Sequence, residues 1–206
     1  MKALVTGGTG FIGSHLVEEL HQRGWEICVI AKDSMFSSNL PVPVTIADMR
    51  DSEALAPLLR DVDVVYHIAG LTRARNTADY YAVNHLGTKA LLNACMVHCR
   101  NLQRFVFVSS LTAVGPRIGP DEVTETTQYH PVSHYGRSKM LAEVEVLEAK
   151  EKLPVTIVRP SAVYGPRDRD LFRYFKMIRT GIEPLLGSGA HQLNLEHVQD
   201  LVRGIM

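Results

Sequence analysis

The sequence carries no excess charge of either sign: 22 lysines and arginines balance 22 aspartates and glutamates over 206 residues. The basic footprint that a polyanion requires is therefore lacking, and nucleic acid is set aside as a partner. No apolar run approaches the ~20 residues that cross a bilayer, so no membrane partner is expected. The opening stretch Met1–Thr6 runs too soon into glycine to be a signal peptide. Cysteine is scarce. Its three copies are an odd number for a disulfide framework, and no His/Cys cluster at zinc spacing accompanies Cys95 and Cys99. The expectation is a cytoplasmic protein with reduced structural thiols and no metal. Repeats and low-complexity tracts are also missing. With 46% hydrophobic and 21% charged residues, what remains is an ordinary globular chain with room for one domain and part of a second lobe.

Strands and helices alternate from the start. Apolar runs predict strands at Lys2–Thr6, Glu26–Ala31, Val44–Ala47, Val62–Ile68, Arg104–Ser109 and Val155–Val158. Helical spacing predicts helices over Ile12–Arg23, from Asp51 or Ser52 to about Arg60, over Thr77–Cys99 and over Tyr135–Lys152. The stretch between Ser109 and His134 reads as loop. Such alternation implies right-handed βαβ units, hence an α/β fold with a doubly wound parallel sheet. Residues 1–166 form the expected nucleotide-binding domain, and 167–206 the start of a second lobe. The chain stops inside an apparent helix, Glu196–Met206. Apolar surface is expected to stay exposed there and on a helix at Leu171–Thr180.

The strongest motif is Thr6-Gly7-Gly8-Thr9-Gly10-Phe11-Ile12-Gly13, set between a strand and a helix. A pyrophosphate must approach backbone N–H groups at the helix start, where the dipole favours negative charge and side chains would obstruct it. Gly7 and Gly10 suit that approach, and Gly13 lets the helix pack closely. A dinucleotide is the implied ligand; the alternative is a bare glycine turn. The second strand ends Ile30-Ala31-Lys32-Asp33, beside the expected ribose. Lys32 suits a 2′-phosphate, so NADP is favoured over NAD, unless Lys32 is only a solvated lysine and Asp33 a turn residue. Asp48 follows the third strand, where adenine should rest, and Ala69 and Gly70 end the fourth, where small residues admit a cofactor; the alternative for each is ordinary turn chemistry.

Tyr135 and Lys139 stand four apart, one turn along the same helix face. A phenol near pKa ~10 is a poor base at neutral pH, and a nearby ammonium would lower that value. The same ammonium can hold ribose hydroxyls. Ser109 and Ser110 close the fifth strand, at the carboxyl edge where doubly wound sheets bind ligands. The charged loop Arg167-Asp168-Arg169-Asp170 either meets an anionic substrate, through Arg167, or is simply solvated.

With these motifs in order the sequence resembles the extended short-chain dehydrogenase/reductase family, also called the NAD-dependent epimerase/dehydratase family. Further matching segments are His67-Ile68-Ala69-Gly70, Asn84-His85-Leu86-Gly87-Thr88 and Arg159-Pro160-Ser161-Ala162-Val163-Tyr164-Gly165-Pro166. The resemblance implies a Rossmann-type fold and a catalytic triad of Ser110, Tyr135 and Lys139. It places Phe11, Ile12, Met49, Asn84, Pro160 and Val163 around the cofactor and Thr112 by the substrate. Leu111-Thr112 replace the Asp-Glu pair of the 4,6-dehydratases, which argues against dehydration. Val114 and Ala31 stand where sugar epimerases carry tyrosine and an acid. A nucleotide-sugar epimerase-like enzyme is the favoured reading. The alternatives are an NADP-dependent reductase or dehydrogenase of the dihydroflavonol or 3β-hydroxysteroid kind, and a non-catalytic NAD(P)-sensing protein. The resemblance also implies a two-helix homodimer and a substrate lobe continuing past Met206.

Overall fold

Alternating apolar runs become a single parallel sheet. In the computed structural model, which describes residues 1–32, 40–119, 122–182 and 194–206, strands β1 (Lys2–Thr6), β2 (Glu26–Ala31), β3 (Val44–Ile46), β4 (Val64–His67), β5 (Arg104–Val108) and β6 (Val155–Val158) pair in the order β3-β2-β1-β4-β5-β6. Every pairing is parallel. The order runs outward in one direction through β2 and β3, and in the other through β4, β5 and β6. This reversal opens a crevice beyond the carboxyl ends of β1 and β4. Asp33 and the stretch 183–189 lie outside the described residues.

The strand period of two sends alternate residues into two cores. Leu4, Val65, Phe105 and Phe107 pack with Leu55, Leu59, Leu91, Ala142 and Val146, from helices α2 (Ser52–Leu59), α4 (Gly87–His98) and α6 (His134–Glu148). Ala3, Val5, Tyr66 and Val106 face the opposite way, onto Leu16 and Leu20 of α1 (Phe11–Gln22). Buried on both faces, these strands read as near-continuous apolar runs. Caps fix the helix starts: Asp51 accepts from the Ala54 amide at 3.1 Å, and Ser133 from the Gly136 amide at 3.0 Å.

Several expected elements differ. Thr77–Cys99 is not one α-helix: α3 (Thr77–Tyr80) passes through a π-helical segment, Tyr81–Leu86, before α4. The expected loop after Ser109 holds a short helix, α5 (Leu111–Val114). Beyond β6, a separate two-stranded sheet joins β7 (Ala162–Tyr164) to β8 (Leu195–His197). Leu195–His197 is therefore strand, and α8 is confined to Val198–Ile205. The expectation of exposed apolar surface at the last helix is overturned. Val198, Leu201, Val202 and Ile205 are buried in the α1-side core, because their i, i+3, i+4, i+7 spacing makes one continuous stripe. Helix α7 (Asp170–Arg179) does match the expectation: Phe172, Phe175, Met177 and Ile178 are exposed.

Candidate active site

The glycine turn sits at the crevice. Gly7 takes φ +71°, and a Cβ there would lie 2.6 Å from the Ala69 amide nitrogen. Both the conformation and the close approach of β4's end exclude a side chain. A Cβ on Gly13 would run into the Gly7 carbonyl, so the first turn of α1 rests directly on the loop. Gly10 differs: among the described residues a Cβ there meets the Gly7 oxygen alone, at 3.2 Å, and its other side is open. Helix α1 starts at Gly10 with no side-chain cap and no acidic residue in its first turn, which leaves its amino end to an anion. Phe11 and Ile12 turn toward the α1-side core, with Phe11 edge-on to His15 at 5.9 Å.

Across the crevice, a Cβ on Gly70 would lie 3.3 Å from both the Asn84 Oδ1 and the Lys139 Nζ. Lys139 is 3% exposed. Its ammonium donates to the Val108 carbonyl at 2.8 Å and lies 4.6 Å from the Phe107 ring centre. Burial draws its pKa down to about 8, against a smaller upward push from Glu143. Asn84, in the π-helical segment, accepts from the Leu71 amide at 2.7 Å and donates to the Leu71 carbonyl and to Ser138 Oγ, each at 3.0 Å.

Ser110 caps α5, accepting from the Thr112 amide at 3.2 Å and from the Thr112 hydroxyl at 2.9 Å. Its side chain lies close enough to the Tyr135 phenol to act on its titration, so the structure brings Ser110, Thr112 and Tyr135 together. The Tyr-Lys spacing predicted a lowered phenol, and the structure has it raised. Burial pushes its pKa up, the nearby Ser110 hydroxyl pulls it down, and Tyr80, with its ring 6.2 Å away, pushes it up. The Lys139 ammonium is turned to Val108 instead. Neighbouring Ser109 is buried, with an Oγ that has no hydrogen-bond partner among the described residues. An orphaned hydroxyl at the carboxyl edge, the open side of Gly10 and the uncapped α1 together fit a bound dinucleotide.

At the far end of the crevice, Lys32 is exposed beyond β2. Asp48 is gripped by the Arg50 guanidinium, at 2.6 Å for the shortest contact. That bond, with a smaller contribution from Lys32, holds its carboxyl down at about 2. The sequence gives no signal for Arg50, because adjacent charges in a turn look solvated. Met49 packs inward, its ε-methyl against Gly87. The Pro160 carbonyl accepts from the Leu111 amide at 3.0 Å, which joins that segment to α5. Val163, in β7, packs on the α1-side core. Arg167 is not brought to this cluster. From a left-handed backbone (φ 72°) its guanidinium reaches Ser14 at 2.8 Å and Glu18 at 2.6 Å on α1. The sequence could not show this, since those partners lie about 150 residues earlier.

A family model described as the NAD dependent epimerase/dehydratase family matches residues 3–206. The chain is 31% identical over 231 residues to the uncharacterised UDP-glucose epimerase YtcB of Bacillus subtilis (strain 168), covering 100% of itself and 71% of that protein. It is 30% identical over 211 residues to the decarboxylating sterol-4-alpha-carboxylate 3-dehydrogenase of Mus musculus, covering 98% of itself and 58% of that protein. Among solved structures, UDP-glucuronic acid 4-epimerase from Bacillus cereus in complex with NAD superposes with a TM-score of 0.84 at 29% identity, over 99% of this chain and 71% of that one.

Proposed function

The chain belongs to the NAD dependent epimerase/dehydratase family, and from that premise we propose that it is an NAD(P)-dependent, epimerase-like oxidoreductase acting on a nucleotide sugar. One observation carries the reading: Ser110, Tyr135 and Lys139 converge at the carboxyl edge of β5, across the crevice from the glycine turn. The amino end of α1, opened by Gly7 and Gly10, holds the pyrophosphate. Lys32 meets a 2′-phosphate, and Asp48, steadied by Arg50, faces the adenine. Asn84 and Lys139 hold the nicotinamide ribose, while Ser109, Pro160 and Val163 border the nicotinamide. When bound, NAD(P) supplies a reversible hydride acceptor.

Ser110 orients the reacting oxygen of the substrate and Thr112 steadies Ser110. Tyr135 takes the proton from that oxygen or returns it. Its raised phenol keeps the proton at neutral pH, and it becomes a base only as Lys139 leaves Val108 and turns toward it. The segment 167–182 begins the substrate wall, whereas α8 belongs with the nucleotide-binding core. Exposed Val97 on α4 and Val144 and Leu147 on α6 support a homodimer through these two helices. Three cysteines, an odd number for a disulfide framework, support a reducing, cytoplasmic setting.

A second reading, a dehydrogenase acting on an apolar ring alcohol, is favoured by the sterol dehydrogenase similarity and by Leu111-Thr112 after Ser110. Turnover of the full-length protein against UDP-sugars and against hydroxysteroids separates the two. With the substrate so found, Tyr135→Phe should lower kcat by at least ~10²-fold while cofactor binding is retained. Normal turnover by that variant would remove Tyr135 from the mechanism.

A further inference from the structure

His67 is fully buried at the end of β4 and has no place in the chemistry above. Its hydrogen bonds fix their own direction. The Thr88 hydroxyl lies 2.6 Å from the Asn84 carbonyl, which can only accept, so the Thr88 proton goes there. Thr88 Oγ must then accept from His67 Nε2, at 2.8 Å. The ring is kept neutral, with burial and the Lys139 charge drawing its pKa to about 3. Nδ1 is therefore bare and accepts from the Thr6 hydroxyl at 2.7 Å. Thr6 in turn accepts from the Ala69 amide at 3.2 Å. Every side-chain polar atom of this hydrogen-bond relay is satisfied, in one order only.

The two ends of this chain are what matter. Ala69, with Ile68, is what Gly7 is pressed against, and Thr6 is the residue that leads into Gly7. At the other end, Asn84 lies within the π-helical segment Tyr81–Leu86, where the ladder is widened and its carbonyl takes a side-chain bond. From Asn84 the connection continues: its amide donates to Ser138 Oγ at 3.0 Å, and Ser138 donates to the Tyr135 carbonyl at 2.7 Å. π-helical turns are rare and cluster at functional sites. The Asn84 carbonyl of this one accepts from the Thr88 hydroxyl, which His67 orients.

Building on the NAD(P)-binding reading, we infer that His67 is a positioning residue. Through Thr88 it fixes the π-helical register of Tyr81–Leu86, so that Asn84 holds α6, with Tyr135 and Lys139, at a set distance from the glycine turn. The Lys139 ammonium then keeps its place beneath Gly70, at the nicotinamide-ribose end of the site.

The test separates the two ends of the cofactor. Calorimetry on the full-length protein compares NADPH or NADH, whichever the wild type binds tighter, with the matching fragment that lacks the nicotinamide and its ribose, 2′-phospho-ADP or ADP. Thr88→Val keeps the shape and removes the hydroxyl. It should weaken the dinucleotide about tenfold and the fragment less than about twofold, the loss expected when one buried partner is removed. Thr88→Ser restores the hydroxyl and should restore affinity. His67→Leu should match Thr88→Val, and the double variant should be no worse than either, because one chain is cut in each. Should His67→Leu fail to fold, the two Thr88 variants decide the matter. Equal losses of dinucleotide and fragment, no loss at all, or a Thr88→Ser as damaged as Thr88→Val would overturn the positioning role alone. No binding of either dinucleotide by the wild type would overturn the proposed function, and this inference with it.

Discussion

Lys139 is an ammonium held where charge is costly, with a pKa drawn to about 8 by burial. Unfolded, it titrates near ~10.4. Between these values the unfolded chain binds the extra proton, so stability rises with pH across that window and is lost again as pH falls through 8. Wild-type protein should therefore gain thermal stability relative to Lys139→Met between about pH 8 and 10.4. Parallel melting profiles for the two would show that the ammonium is not desolvated as described. Lys32 is the opposite case, an exposed lysine with an effect limited by solvent. Lys32→Ala should weaken NADPH selectively, by about 1.5 kcal/mol or less. Equal losses of NADPH and NADH in calorimetry would place Lys32 elsewhere.

Helices α7 and α8 look alike as sequences, each short and amphipathic, but their energetics diverge. Leu201 is 2% exposed in the α1-side core, whereas Phe172 is 61% exposed. Leu201→Ala should lower stability by about 2–5 kcal/mol, and Phe172→Ala should stay within about 0.5 kcal/mol, both read by denaturant unfolding. Comparable losses would mean that α7 is covered in solution. Spacing shows that a helix has an apolar face, but not which surface meets it. The π-helical turn was hidden for a related reason. Apolar periodicity continues on both sides of Tyr81–Leu86, and the bond beside it joins Thr88 to His67, 21 residues apart.

For the whole molecule, cofactor binding should appear as stability. A ligand at 100 times its Kd adds about 2.7 kcal/mol, which for a chain of 206 residues is a rise of roughly 5 to 10 °C in Tm. NADPH or NADH should produce it, and Gly10→Val should abolish it while the circular dichroism spectrum stays native. An unchanged Tm with saturating dinucleotide would argue against the crevice as the site.

The sequence by itself determined the parallel sheet, the glycine turn and the Tyr-Lys face, because each rests on local rules. Apolar runs make strands, glycine admits a left-handed turn beneath a phosphate, and a spacing of four aligns two side chains on one helix. It also supplied Ser109 and Ser110, and the family resemblance chose Ser110. The tertiary structure adds that the Ser109 hydroxyl is orphaned among the described residues and that Ser110 sits near Tyr135. Only the structure drew Arg167 onto α1, buried the α8 stripe, turned Lys139 to the Val108 carbonyl and threaded His67 between Thr6 and Thr88. Each of these depends on which groups the fold brings together from distant parts of the chain. Burial and hydrogen-bond direction are properties of that assembly, and no local spacing encodes them.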